Sequence, residues 1–135
     1  MKRKILISTG GSGGHVIPAI TMYDHLKSYY DISISSDMRG LKYLDNESYN
    51  IFLVDTPKLN KLILLPISIL KIFFLTLRSL FLLKKEKIQI LISTGGYMSL
   101  PLCIAARMLN VKIFLLEPNM VIGRANKFFL KFCEK

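Results

Sequence analysis

The chain of 135 residues has no tryptophan, two cysteines and nine acidic residues against nineteen Lys and Arg. Cys103 and Cys133 stand in apolar context without Cys-x-x-Cys or metal-ligand spacing. That excludes a disulfide scaffold and a thiolate metal centre, and predicts free thiols in a reducing compartment. The acids are scattered: Asp24, Asp31, Asp37, Asp45 and Asp55 form no Asp-x-Asp pair. No metal site and no cofactor are therefore expected. No Gly-Lys-Ser/Thr follows any glycine run, which excludes a P-loop. The dinucleotide fingerprint also fails, because Val16 stands where the third glycine of Gly11-x-Gly13-x-x-Gly belongs. One feature keeps that reading open: Asp37 lies about where a ribose-binding acid follows a second strand. No leader is visible either. The basic start Lys2-Arg3-Lys4 is followed only by Ile5-Leu6-Ile7 before glycine, so a cytoplasmic location is expected.

What is present is apolar and basic. Hydrophobic residues make up 51%, mean hydropathy is +0.39 and net charge is +10. A chain of this size and composition buries a core as one domain and is not disordered. The charge favours anionic partners: nucleic acid, anionic lipid or phosphorylated small molecules. Nucleic acid is not expected, since neither an aromatic platform nor a helix-turn-helix pattern accompanies the charge.

The most informative pattern is a repeat. Ile-Leu-Ile-Ser-Thr-Gly-Gly occurs as Ile5–Gly11 and again as Ile90–Gly96. Each copy is an apolar β-type run ending in a hydroxyl pair and a glycine pair, and a helical pattern follows each. That unit places backbone N–H groups and a positive helix end at an anion. Strands are predicted at Lys4–Ser8, Ile32–Ser35, Ile51–Asp55, Ile88–Ser93 and Val111–Leu116. Helices are predicted at His15–Tyr30, within Leu62–Leu83, from Ser99 to Leu109 and at Ile122–Phe132. Asp37–Asn46 reads as a loop with one helical turn, and Thr56–Lys61 as a loop around Pro57. Strands that alternate with helices and are continuously apolar imply a doubly wound parallel α/β sheet of Rossmann-like type. In the order 3-2-1-4-5, the first and fourth strands are neighbours. Both glycine turns then face one crevice at the carboxyl edge.

Three segments share a resemblance. Gly10-Gly11-Ser12-Gly13-Gly14-His15-Val16-Ile17-Pro18-Ala19 resembles the opening of the MurG-type transferases of glycosyltransferase family 28. Gly95-Gly96-Tyr97-Met98-Ser99-Leu100-Pro101 resembles that family's second glycine motif. Glu117-Pro118-Asn119, followed by Gly123-Arg124-Ala125-Asn126-Lys127, resembles its Glu-Gln-Asn segment and downstream Gly…Asn. Order and spacing agree along essentially the whole chain. Pro118 replaces the usual Gln, and Leu116 the frequent His, while Glu117 and Asn119 keep their spacing. The loop Thr56–Lys61 lacks the family's glycine-rich form but keeps Lys58 and Lys61.

The resemblance implies the N-terminal, acceptor-side half of a GT-B fold over residues 1–135, with the donor domain absent and the chain a fragment. It implies an inverting, metal-independent transfer of GlcNAc from UDP-GlcNAc to undecaprenyl-pyrophosphoryl-MurNAc-pentapeptide (lipid I), giving lipid II for the cell wall. This piece alone is expected to be inactive. By the same resemblance Ser12, Gly13, Gly14 and Asn119 match donor-contacting positions, and the glycine turns, including Gly95 and Gly96, receive the acceptor diphosphate. Tyr97 either contacts acceptor or packs. His15 and Glu117 are the catalytic candidates. An imidazole titrates near neutrality, as a general base for a sugar hydroxyl requires; the other reading of His15 is a hydrogen bond to the loop. Glu117 either orients Asn119, binds a sugar hydroxyl or is structural. His25 reads as surface. An alternative assignment is the non-catalytic membrane-recruiting acceptor subunit of a split GlcNAc transferase.

Leu62–Leu83 is long enough to span a bilayer. It nevertheless carries Lys71 and Arg78, which with Lys85 fall on one helical stripe. Two central cations at about 2.5–3.5 kcal/mol each oppose spanning, and spanning would split the sheet. The segment is expected to cover the sheet with part of its face. The remainder, flanked by Lys58, Lys61, Lys84, Lys85 and Lys87, would lie on an anionic membrane surface as a peripheral anchor at its cytoplasmic face; the other reading is a fully buried crossover helix.

Overall fold

The computed structural model describes residues 2–45, 47–55 and 65–133. The elements run β1 (Lys4–Ser8), α1 (Gly13–Leu26), β2 (Asp31–Ser36), a 3-10 turn (Gly40–Tyr43) and β3 (Ile51–Leu53). They continue with α2 (Leu65–Lys85), β4 (Ile90–Ser93), α3 (Ser99–Met108), β5 (Lys112–Leu115), α4 (Arg124–Phe129) and a closing 3-10 turn (Leu130–Phe132). Five parallel strands form one sheet in the order β3-β2-β1-β4-β5. This is the doubly wound α/β order expected from the alternating pattern. The expected loop Thr56–Lys61 and the segment Leu62–Leu64 lie outside the described residues.

Strand alternation divides the core. Leu6, Leu91 and Ile113 pack with Leu83, Leu102, Ala105, Ala106 and Phe129 under α2, α3 and α4. Ile5, Ile7, Ile32 and Ile92 point the other way, against Ala19 and Met22 of α1. The strands are hydrophobic on both sides because helices pack on both faces, although α1 leaves Phe114 of β5 39% exposed. Cys103 is buried, and burial pushes its thiol up to about 12. It behaves as a small apolar residue rather than a nucleophile.

Element ends differ from the expected ones for local reasons. α1 starts at Gly13 because Ser12, in extended backbone, caps it through its carbonyl, which accepts from His15 and Val16. It stops at Leu26, whose carbonyl accepts from both Tyr29 and Tyr30. α2 runs on through Lys84 and Lys85, cations that favour a helix C-terminus. Lys87 then turns left-handed at φ 56°, Lys87 N–H bonds Lys84 O and Ile88 N–H bonds Leu83 O. α3 ends the same way at Asn110, φ 54°, with Val111 N–H on Ala106 O. Both are Schellman closures, each joined by an apolar pair, Ile88–Leu83 and Val111–Ala106.

The orientation of α2 is inverted relative to an ordinary surface helix. Ser68, Thr76, Ser79 and Leu83 are buried. Ile67, Leu70, Phe73, Phe74, Leu77 and Phe81 are exposed, Phe81 to 69%. Small hydroxyl residues allow close approach to the body of the domain, and the larger apolar side chains are left outside. Lys71, Arg78 and Lys85 are exposed, as their stripe requires. Among the described residues, no helix is long and apolar enough to cross a membrane.

This orientation predicts a contrast within one helix. Leu83→Ala should cost about 2–5 kcal/mol in urea unfolding, as for a buried leucine. Leu77→Ala should stay within about 0.5 kcal/mol. Equal costs would contradict the orientation.

Candidate functional site

The repeat becomes two level turns because β1 and β4 pair directly, Ile5 opposite Ile90 through Ser8 opposite Ser93. Gly10 and Gly11, and equally Gly95 and Gly96, take positive φ, a backbone that side chains rarely adopt. The turns are bonded to each other. Thr94 N–H donates to Ser8 O at 3.0 Å, and the Thr94 hydroxyl donates to Thr9 Oγ1 at 2.9 Å. His15, in the first turn of α1, places Nδ1 2.7 Å from Thr94 O. A carbonyl only accepts, so Nδ1 carries the proton. In the neutral ring the lone pair is therefore on Nε2.

Asp37 organises the first turn from β2. It is 1% exposed. Its Oδ1 accepts from Gly11 N and Gly40 N, each at 2.8 Å. Its Oδ2 accepts from Arg39 Nε at 2.9 Å and lies 2.8 Å from Arg39 Nη2. Burial opposes ionisation, but the two N–H groups and the guanidinium outweigh it and hold the carboxyl below its ordinary range. Asp37 is thus committed to protein groups, which removes the ribose-binding role considered for it. The turn is packed as tightly as it is bonded: a Cβ at Gly10 would meet Asp37 Oδ1 at 2.6 Å and Met98 Cε at 2.5 Å.

Glu117 organises the segment after β5. Oε1 accepts from Asn119 N at 3.2 Å and Asn119 Nδ2 at 2.9 Å. Oε2 accepts from Gly123 N at 2.7 Å and Asn126 Nδ2 at 3.1 Å. Partial burial opposes the charge, but these donors outweigh it and lower the carboxyl's pKa. Asn126, 2% exposed, lies against Gly95, where an added Cβ would meet Nδ2 at 3.0 Å.

The expected site residues divide accordingly. Ser12, Gly13, Gly14 and His15 form the start of α1, with the Ser12 and Gly14 positions exposed. The N–H groups of Gly13 and Gly14 belong to the first helical turn, which leaves them without intrahelical acceptors. Gly11 N–H and Gly95 N–H are already used, by Asp37 and by Ser93 Oγ at 3.1 Å. The two glycine turns therefore offer fewer free donors than the repeat alone implies. Gly96 O accepts from Ser99 Oγ at 2.7 Å, and Tyr97 stands half-buried just before α3. Asn119 is exposed, with its amide held by Glu117. His25 is exposed on α1 and bonds Thr21 O. Among the described residues, no cluster of three or more His, Cys, Asp or Glu is placed to hold a metal. The sequence did not announce the Asp37–Arg39–Gly40 buckle, although Asp-x-x-Gly is a turn signature. Tyr43 beneath Gly13, at 3.3 Å from a built Cβ, left no sequence signal.

Residues 5–135 match the glycosyltransferase family 28 N-terminal domain. The chain belongs to that family. The domain is 53% identical over 136 residues to the UDP-N-acetylglucosamine–N-acetylmuramyl-(pentapeptide) pyrophosphoryl-undecaprenol N-acetylglucosamine transferase of Pelagibacter ubique (strain HTCC1062). That match covers 100% of this chain and 38% of the relative. An identically named protein of Wolbachia sp. subsp. Drosophila simulans (strain wRi) is 37% identical over 128 residues, 94% of this chain and 36% of that one. The domain thus spans well under half the length of these curated relatives. The crystal structure of Acinetobacter baumannii MurG superposes with a TM-score of 0.84 at 23% identity, over 98% of this chain and 40% of that one. The fold is accordingly the N-terminal, Rossmann-like half of a GT-B architecture. A UDP-N-acetylglucosamine 2-epimerase also superposes, with a TM-score of 0.63 at 16% identity over 95% of this chain and 36% of that one. The fold by itself does not select one chemistry.

The Asp37 buckle carries a pH prediction. Its folded pKa is depressed, so its contribution is fully present above the ordinary carboxyl value of 3.8 and is lost as pH falls through the lower folded value. Asp37→Asn should cost about 1.5–3 kcal/mol at pH 7, the range for hydrogen bonds to charged groups. The gap to the parent should narrow in urea unfolding near pH 3. A gap equal at both pH values would count against the buckle.

Proposed function

We propose that the domain is the acceptor-side half of a transferase that moves GlcNAc from UDP-GlcNAc to lipid I, giving lipid II at the cytoplasmic face of the membrane. One observation carries the chemical part: His15 is fixed by its Nδ1–H on Thr94 O where the two glycine turns meet. Nε2 is then left to take the proton from the attacking sugar hydroxyl. The start of α1, with the N–H groups of Gly13 and Gly14 and a positive helix end, suits a diphosphate. Ser12 presents a hydroxyl beside it. Gly95, Gly96 and Tyr97, on the adjoining turn, are assigned to the acceptor side.

The role proposed for Glu117 is positioning rather than proton transfer. Its carboxylate already accepts four hydrogen bonds, and its lowered pKa makes it a weak base. Through it, Asn119 is held toward the donor sugar. Charge on the diphosphate is met on this side by the N–H groups and positive end at the start of α1.

The membrane part rests on the outward face of α2. Leu70, Phe73, Phe74, Leu77 and Phe81 form an apolar stripe bordered by Lys71, Arg78, Lys84 and Lys85. That combination suits the interface of an acidic leaflet, where the lipid-linked acceptor resides.

Three outcomes test the reading. Residues 1–135 alone should transfer no GlcNAc; turnover by this piece would refute its assignment as one half. In a chimera joining residues 1–135 to the remainder of the Pelagibacter relative, His15→Ala should lower kcat by about 10²–10⁴-fold, with the KM for UDP-GlcNAc changed far less. An unchanged kcat would remove His15 from the chemistry. In flotation assays the domain should rise with acidic vesicles, and Phe73→Ser/Phe74→Ser should weaken binding at least about tenfold, given the burial value of two phenylalanines. Absence of binding to acidic vesicles would end the membrane reading.

A further inference from the structure

The segment from Asp37 to Tyr43 lies along the first glycine turn. A Cβ built at Gly40 would meet Gly10 Cα at 2.7 Å, one at Gly11 would meet Arg39 Nη2 at 3.7 Å, and one at Gly13 would meet Tyr43 Cε1 at 3.3 Å. The Arg39 guanidinium is therefore beside the turn that leads into α1, and it is fixed there. Its Nε donates to Asp37 Oδ2 at 2.9 Å, and Nη2 lies 2.8 Å from the same oxygen. Both contacts fall on one edge of a planar group that carries five N–H donors. Nη1 has no protein partner among the described residues, and the side chain is 48% exposed.

A counter-ion for Asp37 needs only the edge already in use. Asp37 also accepts from Gly11 N–H and Gly40 N–H, so the cation is not its sole partner. What the pairing adds is a guanidinium held still, with its other edge open beside a helix start that favours anions. Ordering the side chain in advance lowers the entropy cost of binding. An open guanidinium edge takes phosphate oxygens in pairs.

We propose that Arg39 is a binding and positioning residue for a diphosphate ester. Its open edge holds one phosphate, and the Gly13 and Gly14 N–H groups hold the other. From Gly11, beside the guanidinium, to Gly13 is at most about 7 Å of chain, so one diphosphate bridges the two. The inference rests on the reading that the start of α1 receives a diphosphate, and adds a cation to it. Sugar nucleotide and lipid-linked acceptor both carry this group, and kinetics separates them.

The first test titrates inorganic pyrophosphate into the 135-residue chain, followed by amide shifts and by the guanidinium nitrogen shifts of Arg39. Gly13, Gly14 and Arg39 should move together on one saturation curve. Inorganic phosphate, which reaches one contact at a time, and pyrophosphate with Arg39→Gln should each bind at least about tenfold more weakly. Arg39→Lys keeps a cation on Asp37 and should hold the parental urea midpoint. One ammonium does not serve Asp37 and a phosphate together, so its pyrophosphate binding should also fall. In the chimera with the Pelagibacter remainder, Arg39→Gln should raise one KM at least about tenfold, with kcat changed far less. A rise for lipid I alone assigns the acceptor's diphosphate, and a rise for UDP-GlcNAc alone the donor's. Parental pyrophosphate affinity in Arg39→Gln, or both KM values unchanged, would overturn the proposal. If Gly13 and Gly14 shift in the parent while the Arg39 guanidinium does not, Arg39 is only a counter-ion and the diphosphate reading stands. If neither moves, the diphosphate reading of the α1 start fails, and the role of Arg39 with it.

Discussion

The arrangement depends on the in-register parallel pairing of β1 with β4. Ser8 stands opposite Ser93, so the residues that follow, Thr9-Gly10-Gly11 and Thr94-Gly95-Gly96, leave the sheet at the same height. A slip of one residue would reverse every side chain of the slipped strand. Either Leu6 or Leu91 would then leave the α2–α3 core, and Thr94 would no longer reach Thr9. The burial that holds the sheet together and the geometry that brings His15 to Thr94 O are therefore one constraint.

On that base, backbone polar groups are distributed by three side chains. Asp37 takes Gly11 N–H and Gly40 N–H, Ser93 takes Gly95 N–H, and Glu117 takes Asn119 and Gly123 N–H. Each fixes a loop by local hydrogen bonds rather than by bulk. A loop close to a ligand has little apolar surface to bury, so it is ordered by polar groups instead. Among the described residues, the start of α1 keeps the Gly13 and Gly14 N–H groups without intrahelical acceptors.

α2 follows a different rule. Its packing face is made small, with Ser68, Thr76 and Ser79, and its bulk is directed outward. Water does not favour that arrangement: exposed Leu70, Phe73, Phe74 and Phe81 form a patch of the kind that marks an interaction surface. The helix is held by Leu83, Leu80 and Leu82 at its C-terminal end and closed by the left-handed Lys87. The helix is thus packed along its hydroxyl face from Ser68 to Leu83 and apolar along its outer side.

Much of this was legible in sequence because it depends on short-range pattern. The apolar runs at Ile5–Ile7 and Ile90–Ile92 and the glycine pairs after them dictate strands and turns of a stated backbone shape. Their alternation with helices implies a parallel sheet, and the usual order of such sheets supplied the strand order. The resemblance of Ser12–His15, Tyr97 and Glu117–Asn119 to one family pointed to the candidate site. Long-range choices were not legible. Asp37 as a buckle and not a ribose ligand, the partner of His15 Nδ1, the clasp of Glu117 on Asn126, and the face of α2 that turns inward all depend on residues brought together across the sheet. Periodicity shows that a helix has two faces; only packing against α3 decided that the hydroxyl face was buried, because small side chains permit the closer approach.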